Sequence, residues 1–158
     1  MPIFLNYDGV EGDSTSAGHE KWIEISSFQF GVGRGISSPT GGSADREASA
    51  PSVSEIVVTK VNDSASTKLL NEALQGEGKT VKIDFCRTNK DKLDVFLKYE
   101  LSETMVSGFS LSSGGERPTE SVSLNFTKIL MTNTAGKSAN DPGSPDTVGY
   151  DLATQTTV

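Results

Sequence analysis

From Val81 to Leu101 the chain changes between apolar and polar residues at nearly every step, and this constrains the fold more than any other feature. Val81, Ile83 and Phe85 alternate with Lys82, Asp84 and Cys86. Past Asn89-Lys90-Asp91, the residues Leu93, Val95, Leu97, Tyr99 and Leu101 alternate with Lys92, Asp94, Phe96, Lys98 and Glu100. A period of two sends each set to its own face of a strand. The polar tripeptide between the two runs reads as a hairpin turn.

Most of the remaining chain reads the same way. Ile3, Leu5 and Tyr7 alternate with Phe4, Asn6 and Asp8. Trp22 to Val32 is apolar on both phases, which predicts a strand covered on both faces with a bulge at Ser26-Ser27. Ser52-x-x-Glu55 matches a helix capping box. The β-branched run Ile56, Val57, Val58, Thr59, Val61 argues for a strand instead, because such residues lose side-chain freedom in helices. Met105–Ser112 and Ser121–Met131 read as a second hairpin around Gly114-Gly115. There Val122, Leu124 and Phe126 face one way, and Ser121, Ser123, Asn125 and Thr127 the other. The tail Gly149–Thr154 reads as a last edge strand.

One helix is expected, over residues 64–75. Ser64 or Ser66 caps it, Leu69, Leu70, Ala73 and Leu74 share its apolar face, and Gly76 ends it. Two stretches break the strand pattern. Residues 33–52 hold Gly33, Gly35, Pro39, Gly41, Gly42, Pro51 and many serines, and read as an extended loop, which in a compact domain is functional or disordered. Residues 133–147, with Pro142 and Pro145, read as a polar loop. The whole, 1–158, is expected to be a single mainly β domain, either a small closed barrel or a sandwich.

Composition narrows the function. Only 34% of the 158 residues are hydrophobic and 16 are glycine, which suits strands joined by long polar loops better than a helical bundle. A net charge of −7 leaves no basic face for nucleic acid or for anionic membrane. No apolar run approaches the ~18 residues of a membrane span. Met1–Asp8 has no basic region and no long apolar stretch. A protein made in the cytoplasm is therefore expected, without a cleavable signal peptide and exported only by a dedicated machine. Cys86, the single cysteine, rules out an internal disulfide.

Catalytic chemistry is scarce. Gly31-x-Gly33-x-Gly35 is followed by Ile36-Ser37-Ser38-Pro39, which cannot open the helix a phosphate loop needs. His19, the single histidine, reads as a solvated loop residue. Asp8, Glu11 and Asp13 do not follow calcium-loop spacing. Cys86 reads as a half-buried structural thiol, and a hydrolase built on Cys86 or Ser110 would need a histidine base close by. No catalytic, cofactor or metal residues are expected. Trp22, Phe28 and Phe30 read as core aromatics. Gln29 lies between two of them, so its side chain points the opposite way.

Three stretches then carry a resemblance: Gly9-Val10-Glu11-Gly12-Asp13-Ser14, Val58-Thr59-Lys60 with Asp63-Ser64-Ala65-Ser66, and Gly114-Gly115-Glu116-Arg117-Pro118-Thr119-Glu120 leading into Ser121–Phe126. With His19-x-x-Trp22-Ile23-Glu24-Ile25, the aromatic-x-aromatic-Gly at Phe28–Gly31 and a final Tyr-Asp-Leu, their order resembles the Hcp family. These are the haemolysin co-regulated tube proteins of the bacterial type VI secretion system. The resemblance implies a β-barrel of two antiparallel sheets with one short flanking helix. It implies a homohexameric ring, stacked rings, a spike protein, a contractile sheath, small effectors in the lumen and secretion from the cell. Gln29 becomes a candidate for the lumen wall. Ser37, Ser38, Pro39, Thr40, Asp45, Arg46 and Glu47 become candidates for contacts between subunits or rings. A phage tail-tube-like structural protein is the alternative within the same architecture.

Overall fold

The computed structural model describes residues 1–37, 47–134 and 143–158. In chain order these hold β1 Ile3–Tyr7, β2 Ile23–Ile25, β3 Ser27–Gln29, β4 Val32–Gly33, β5 Ile36–Ser37, β6 Glu47–Ala48, β7 Ser52–Val53, β8 Ile56–Val61, α1 Ser66–Gln75, β9 Lys79–Asn89, β10 Lys92–Ser112, β11 Thr119–Asn125, β12 Lys128–Asn133, β13 Asp146–Asp151 and β14 Thr156–Thr157.

The opening hairpin forms where the alternation places it. Lys90 and Asp91 both take positive φ, 47° and 67°, as a two-residue turn matched to strand twist requires. The strand after it runs further than the pattern suggests. In place of two strands, 92–101 and 105–112, β10 continues through both. It changes partners near Glu103, which sits at φ 51°, where the ladder slips between Leu101 and Thr104. The return strand does the opposite. The stretch 121–131 breaks after Asn125, and its two pieces, β11 and β12, join different sheets.

This sorting gives two antiparallel sheets that share β10. The first runs β2-β1-β9-β10-β12-β13-β14 and the second β10-β11-β8-β3. Segment 23–29 also changes sheet, at the bulge expected at Ser26, whose N–H reaches the Thr59 carbonyl at 2.7 Å. Two sheets and one helix are as expected, but among the described residues the sheets do not close into a barrel. The first sheet runs outward through β12 to β14 while the second ends at β3, so the ladders part instead of meeting. The tail strand β13 is not the edge, because β14 pairs outside it.

The space between the sheets is filled by Leu5, Tyr7, Ile23, Ile56, Val58, Val81, Ile83, Leu101, Val122 and Leu124. An aromatic group extends this core, with Phe28 edge-on to Phe85 at 5.0 Å and tilted against Tyr99 at 5.0 Å. Trp22 does not join it and lies against His19 on the other side of the first sheet.

The helix starts two residues later than predicted. Its N-cap is Ala65, with no side-chain cap. Asp63 Oδ1 accepts from the Ala65 N–H at 2.9 Å, and Gly76 ends the helix, its N–H on the Glu72 carbonyl. The buried side is Ser66, Leu69 and Glu72. Leu70 and Leu74, expected to be buried, are 43% and 76% exposed, because the packed face is rotated toward Glu72.

Residues 33–52 are not plain loop. Val32 pairs with Val53, Gly33 with Ser52, Ile36 with Ala48 and Ser37 with Glu47, so the flanks form a two-stranded arm. The ends of the stretch 133–147 likewise belong to β12 and β13.

Candidate functional site

Strands β8 and β11 pair in register, with Lys60 opposite Glu120, Thr59 opposite Ser121 and Val57 opposite Ser123. Strict alternation therefore gives the second sheet two unlike faces.

The inner face carries ions. Lys60 and Glu120 are both fully buried, and Lys60 Nζ lies 2.7 Å from Glu120 Oε1, 2.9 Å from Asp63 Oδ1 and 3.2 Å from Ser66 Oγ. The Ser66 hydroxyl donates to Glu120 Oε1 at 2.9 Å and Asn62 Nδ2 donates to Oε2 at 3.0 Å. Every charge in this network has a charged or hydrogen-bonding partner, the condition under which buried ions are tolerated. Burial pushes the Glu120 pKa up. Hydrogen bonds from Lys60, Asn62 and Ser66, with the Lys60 charge, outweigh it and hold the carboxyl below its usual 4.5. Ser66 was expected as a cap; it ties the helix to the sheet instead. Next to it, the Ser64 hydroxyl donates to Asp13 and holds the Asp13 pKa below the usual carboxylate range, helped by the charges of Arg117 and Lys60. The three motif stretches, far apart in sequence, thus meet at one end of the second sheet.

The outer face carries no charge. Its register positions include Ser27 and Gln29 on β3, Thr59 on β8, Ser121 and Ser123 on β11, and Ser110 on β10. Gln29 is exposed between half-buried Phe28 and Phe30, the orientation its phase predicts. Ser37 is exposed in the arm and Glu47 stands opposite it in β6. Ser38, Pro39, Thr40, Asp45 and Arg46 lie outside the described residues.

Two readings are corrected. His19 is not solvated: it is 5% exposed, with Nε2 2.9 Å from Asp84 Oδ2, its ring stacked on Phe4 at 4.6 Å and Trp22 edge-on at 4.7 Å. The loop 9–22 folds back over the first sheet and buries it, through bonds such as Gly12 N–H to the Lys21 carbonyl. A lone histidine in a polar loop carries no signal of this; its spacing from Trp22 was the available hint. Cys86 is fully buried, not half-buried, and burial, Asp84 and Asp94 push its thiol up to about 11. It is protonated at neutral pH and unsuited to nucleophilic attack. Ser110 is exposed on the second sheet, while His19 is sealed on the first. Glu11, Asp13 and Asp8 also separate: Glu11 faces Lys21 at 3.8 Å and Asp13 faces Ser64.

A family model described as "Type VI secretion system effector, Hcp" matches residues 4–132. The chain belongs to the Hcp family. The solved structures agree with the family resemblance of the motifs. A type six secretion system protein superposes with TM-score 0.91 at 27% identity over 99% of both chains. Hcp1 from Salmonella typhimurium superposes with TM-score 0.79 at 22% identity, over 99% of this chain and 98% of that one. Hcp3 from Pseudomonas aeruginosa gives 0.65 at 18% identity, over 92% and 97%. No curated protein matches the sequence.

Proposed function

We propose that this Hcp chain is a structural tube subunit of a type VI secretion system. Six copies close into a ring and rings stack into a tube. The tube works with a spike protein and a contractile sheath and carries small effectors in its lumen. It is made in the cytoplasm and exported by that secretion machine. It acts by assembly and not by catalysis.

The observation that carries this reading is the pair of open edges on the second sheet. Among the described residues, β3 pairs only with β8, and the Met105–Ser112 half of β10 pairs only with β11. Open edges recruit further strands. Because one molecule ends in two different edges, a contact between them is head-to-tail and closes into a ring if the rotation fits. The four strands alternate in direction, so β10 of one copy would run antiparallel to β3 of the next. Core, helix and first sheet all lie on one side of the second sheet. Six such bulks fit outside a ring more easily than inside it, which favours the uncharged face, with Gln29, as the lumen wall.

The arm supports the same reading. A two-stranded ribbon is marginal alone, and this one exposes Val32 and Ile36 at 58% and 54%. Ser37, Ser38, Pro39, Thr40, Asp45, Arg46 and Glu47 are therefore assigned to contacts with a neighbouring copy or ring.

Sedimentation or native mass measurement tests this. A ring has six times the 16.7 kDa of the chain, about 100 kDa. A single-chain species at high micromolar protein refutes it. Deleting residues 39–50 should leave the chain folded and weaken stacking or secretion; unchanged assembly and secretion would make the arm a passive excursion.

A further inference from the structure

The outer face of the second sheet is unusual for this chain. Charged residues make up 22% of the sequence. A dozen exposed or half-exposed positions should then hold about two or three. The register positions of this face on β3, β8, β11 and the second half of β10 hold none. A carboxylate, Glu55, stands just before β8 at its margin, and the Ser107 hydroxyl donates to it. The opposite surface of the first sheet is built differently. There Lys82 stands opposite Glu100 and Lys98 opposite Asp84.

The neutral face is also rich in unused hydrogen-bonding groups. Among the described residues the side chains of Ser27, Gln29, Thr59, Ser110, Ser121 and Ser123 form no hydrogen bond. These are hydroxyls and a carboxamide, each able to donate and accept. A surface of this kind is hydrated, and it neither attracts nor repels a charged molecule. What it offers a partner is many weak bonds, repeated in every copy of a ring, which add by multivalency.

We propose that this wall engages cargo through neutral hydroxyl and carboxamide groups, so that it selects uncharged, hydrogen-bonding surface segments and holds them independently of ionic strength. The inference rests on the tube reading above. An electrostatic wall would lose its grip as salt rises, because screening shortens the reach of exposed charges. A neutral wall would not.

The test uses two fluorescein-labelled peptides of equal length, one rich in Ser, Asn and Gln, the other in Glu. Fluorescence anisotropy is read against rings of wild type and of Ser121→Lys, at roughly 50 and 500 mM salt. Native mass is recorded on every sample. Wild-type rings are expected to bind the neutral peptide with less than about a twofold change between the two salts. They should bind the Glu-rich peptide at least about tenfold more weakly, because its carboxylates give up water without meeting a cation. Ser121→Lys rings should invert the order at low salt and lose the Glu-rich peptide at high salt. Rings that do not bind the neutral peptide overturn the proposal, as do rings that bind it equally well with Lys at position 121, and the tube reading still stands. A wild type that stays a single chain overturns the tube reading, and this inference with it.

Discussion

Strands β8 and β11 show two opposite solutions on their two faces. Outside, toward solvent, stand Thr59, Ser121 and Ser123. Inside, fully buried, stand the charges Lys60 and Glu120. Globular proteins usually arrange this the other way, with charge in water and small polar groups tolerated within. The inversion separates two tasks. The buried ions are held by Asp63, Asn62 and Ser66, so they bind the start of the helix to the sheet in one geometry. The outward hydroxyls of Thr59, Ser121 and Ser123 make no such bonds to the rest of the fold among the described residues.

This contrast can be broken first from the inside. Glu120→Ala leaves the Lys60 ammonium buried with only Asp63 and Ser66. The loss should be about 3–5 kcal/mol, seen as a Tm lowered by roughly 10 °C or more. A drop of only a degree or two would mean that water reaches Lys60 and the network is not sealed. The double variant Lys60→Met with Glu120→Leu removes both charges. It should recover most of that loss, since a buried ion pair is often no better than well-packed apolar residues. If the double variant is as unstable as the single one, the network defines the local structure and does more than fill it.

Acid probes the same network more gently. The folded pKa of Glu120 lies below its ordinary value, so its contribution is fully present above about pH 4.5. That contribution is lost as the pH falls below that value and through the lowered folded pKa. Chemical denaturation across pH 3 to 6 should show stability falling at the acid end, and the slope should shrink in the Lys60→Met, Glu120→Leu variant. An equal slope in both proteins would assign the acid sensitivity to other carboxylates.

The smallest effects on stability belong to the outer face. Ser121→Lys and Gln29→Arg should each change the stability of the single chain by no more than about 0.5 kcal/mol. Gln29→Arg should preserve the ring and alter which effectors co-purify with it. A variant that fails to fold or loses the ring would put Gln29 in the core or a subunit interface and overturn the lumen assignment.

The sequence made this sheet legible on one side. Val122, Leu124 and Phe126 against Ser121, Ser123 and Asn125 is a clean alternation, and the structure keeps it. Lys60 and Glu120 were legible only as members of a family pattern, because alternation alone cannot say that a lysine and a glutamate 60 residues apart neutralise each other inside. The burial of His19 is hidden from the sequence for the same reason: it depends on Asp84, Phe4 and a loop that folds back, all long-range facts. The helix is legible in the sequence, but its rotation is not. Leu70 and Leu74 satisfy the apolar period as well as Leu69 and Ala73 do, and only packing decides between the two stripes. The break between β11 and β12, and the continuity of β10, are likewise set by which sheet each segment joins.

Strand β10 has a mechanical consequence. Its 21 residues span the seam between the sheets without a chain break, a length of about 70 Å if fully extended. A sandwich whose sheets meet only through side chains passes load between them through noncovalent contacts alone. Here a push on one sheet is passed to the other through covalent bonds, by way of the bend at Glu103. Within one molecule, load therefore passes from sheet to sheet along the backbone of a single strand.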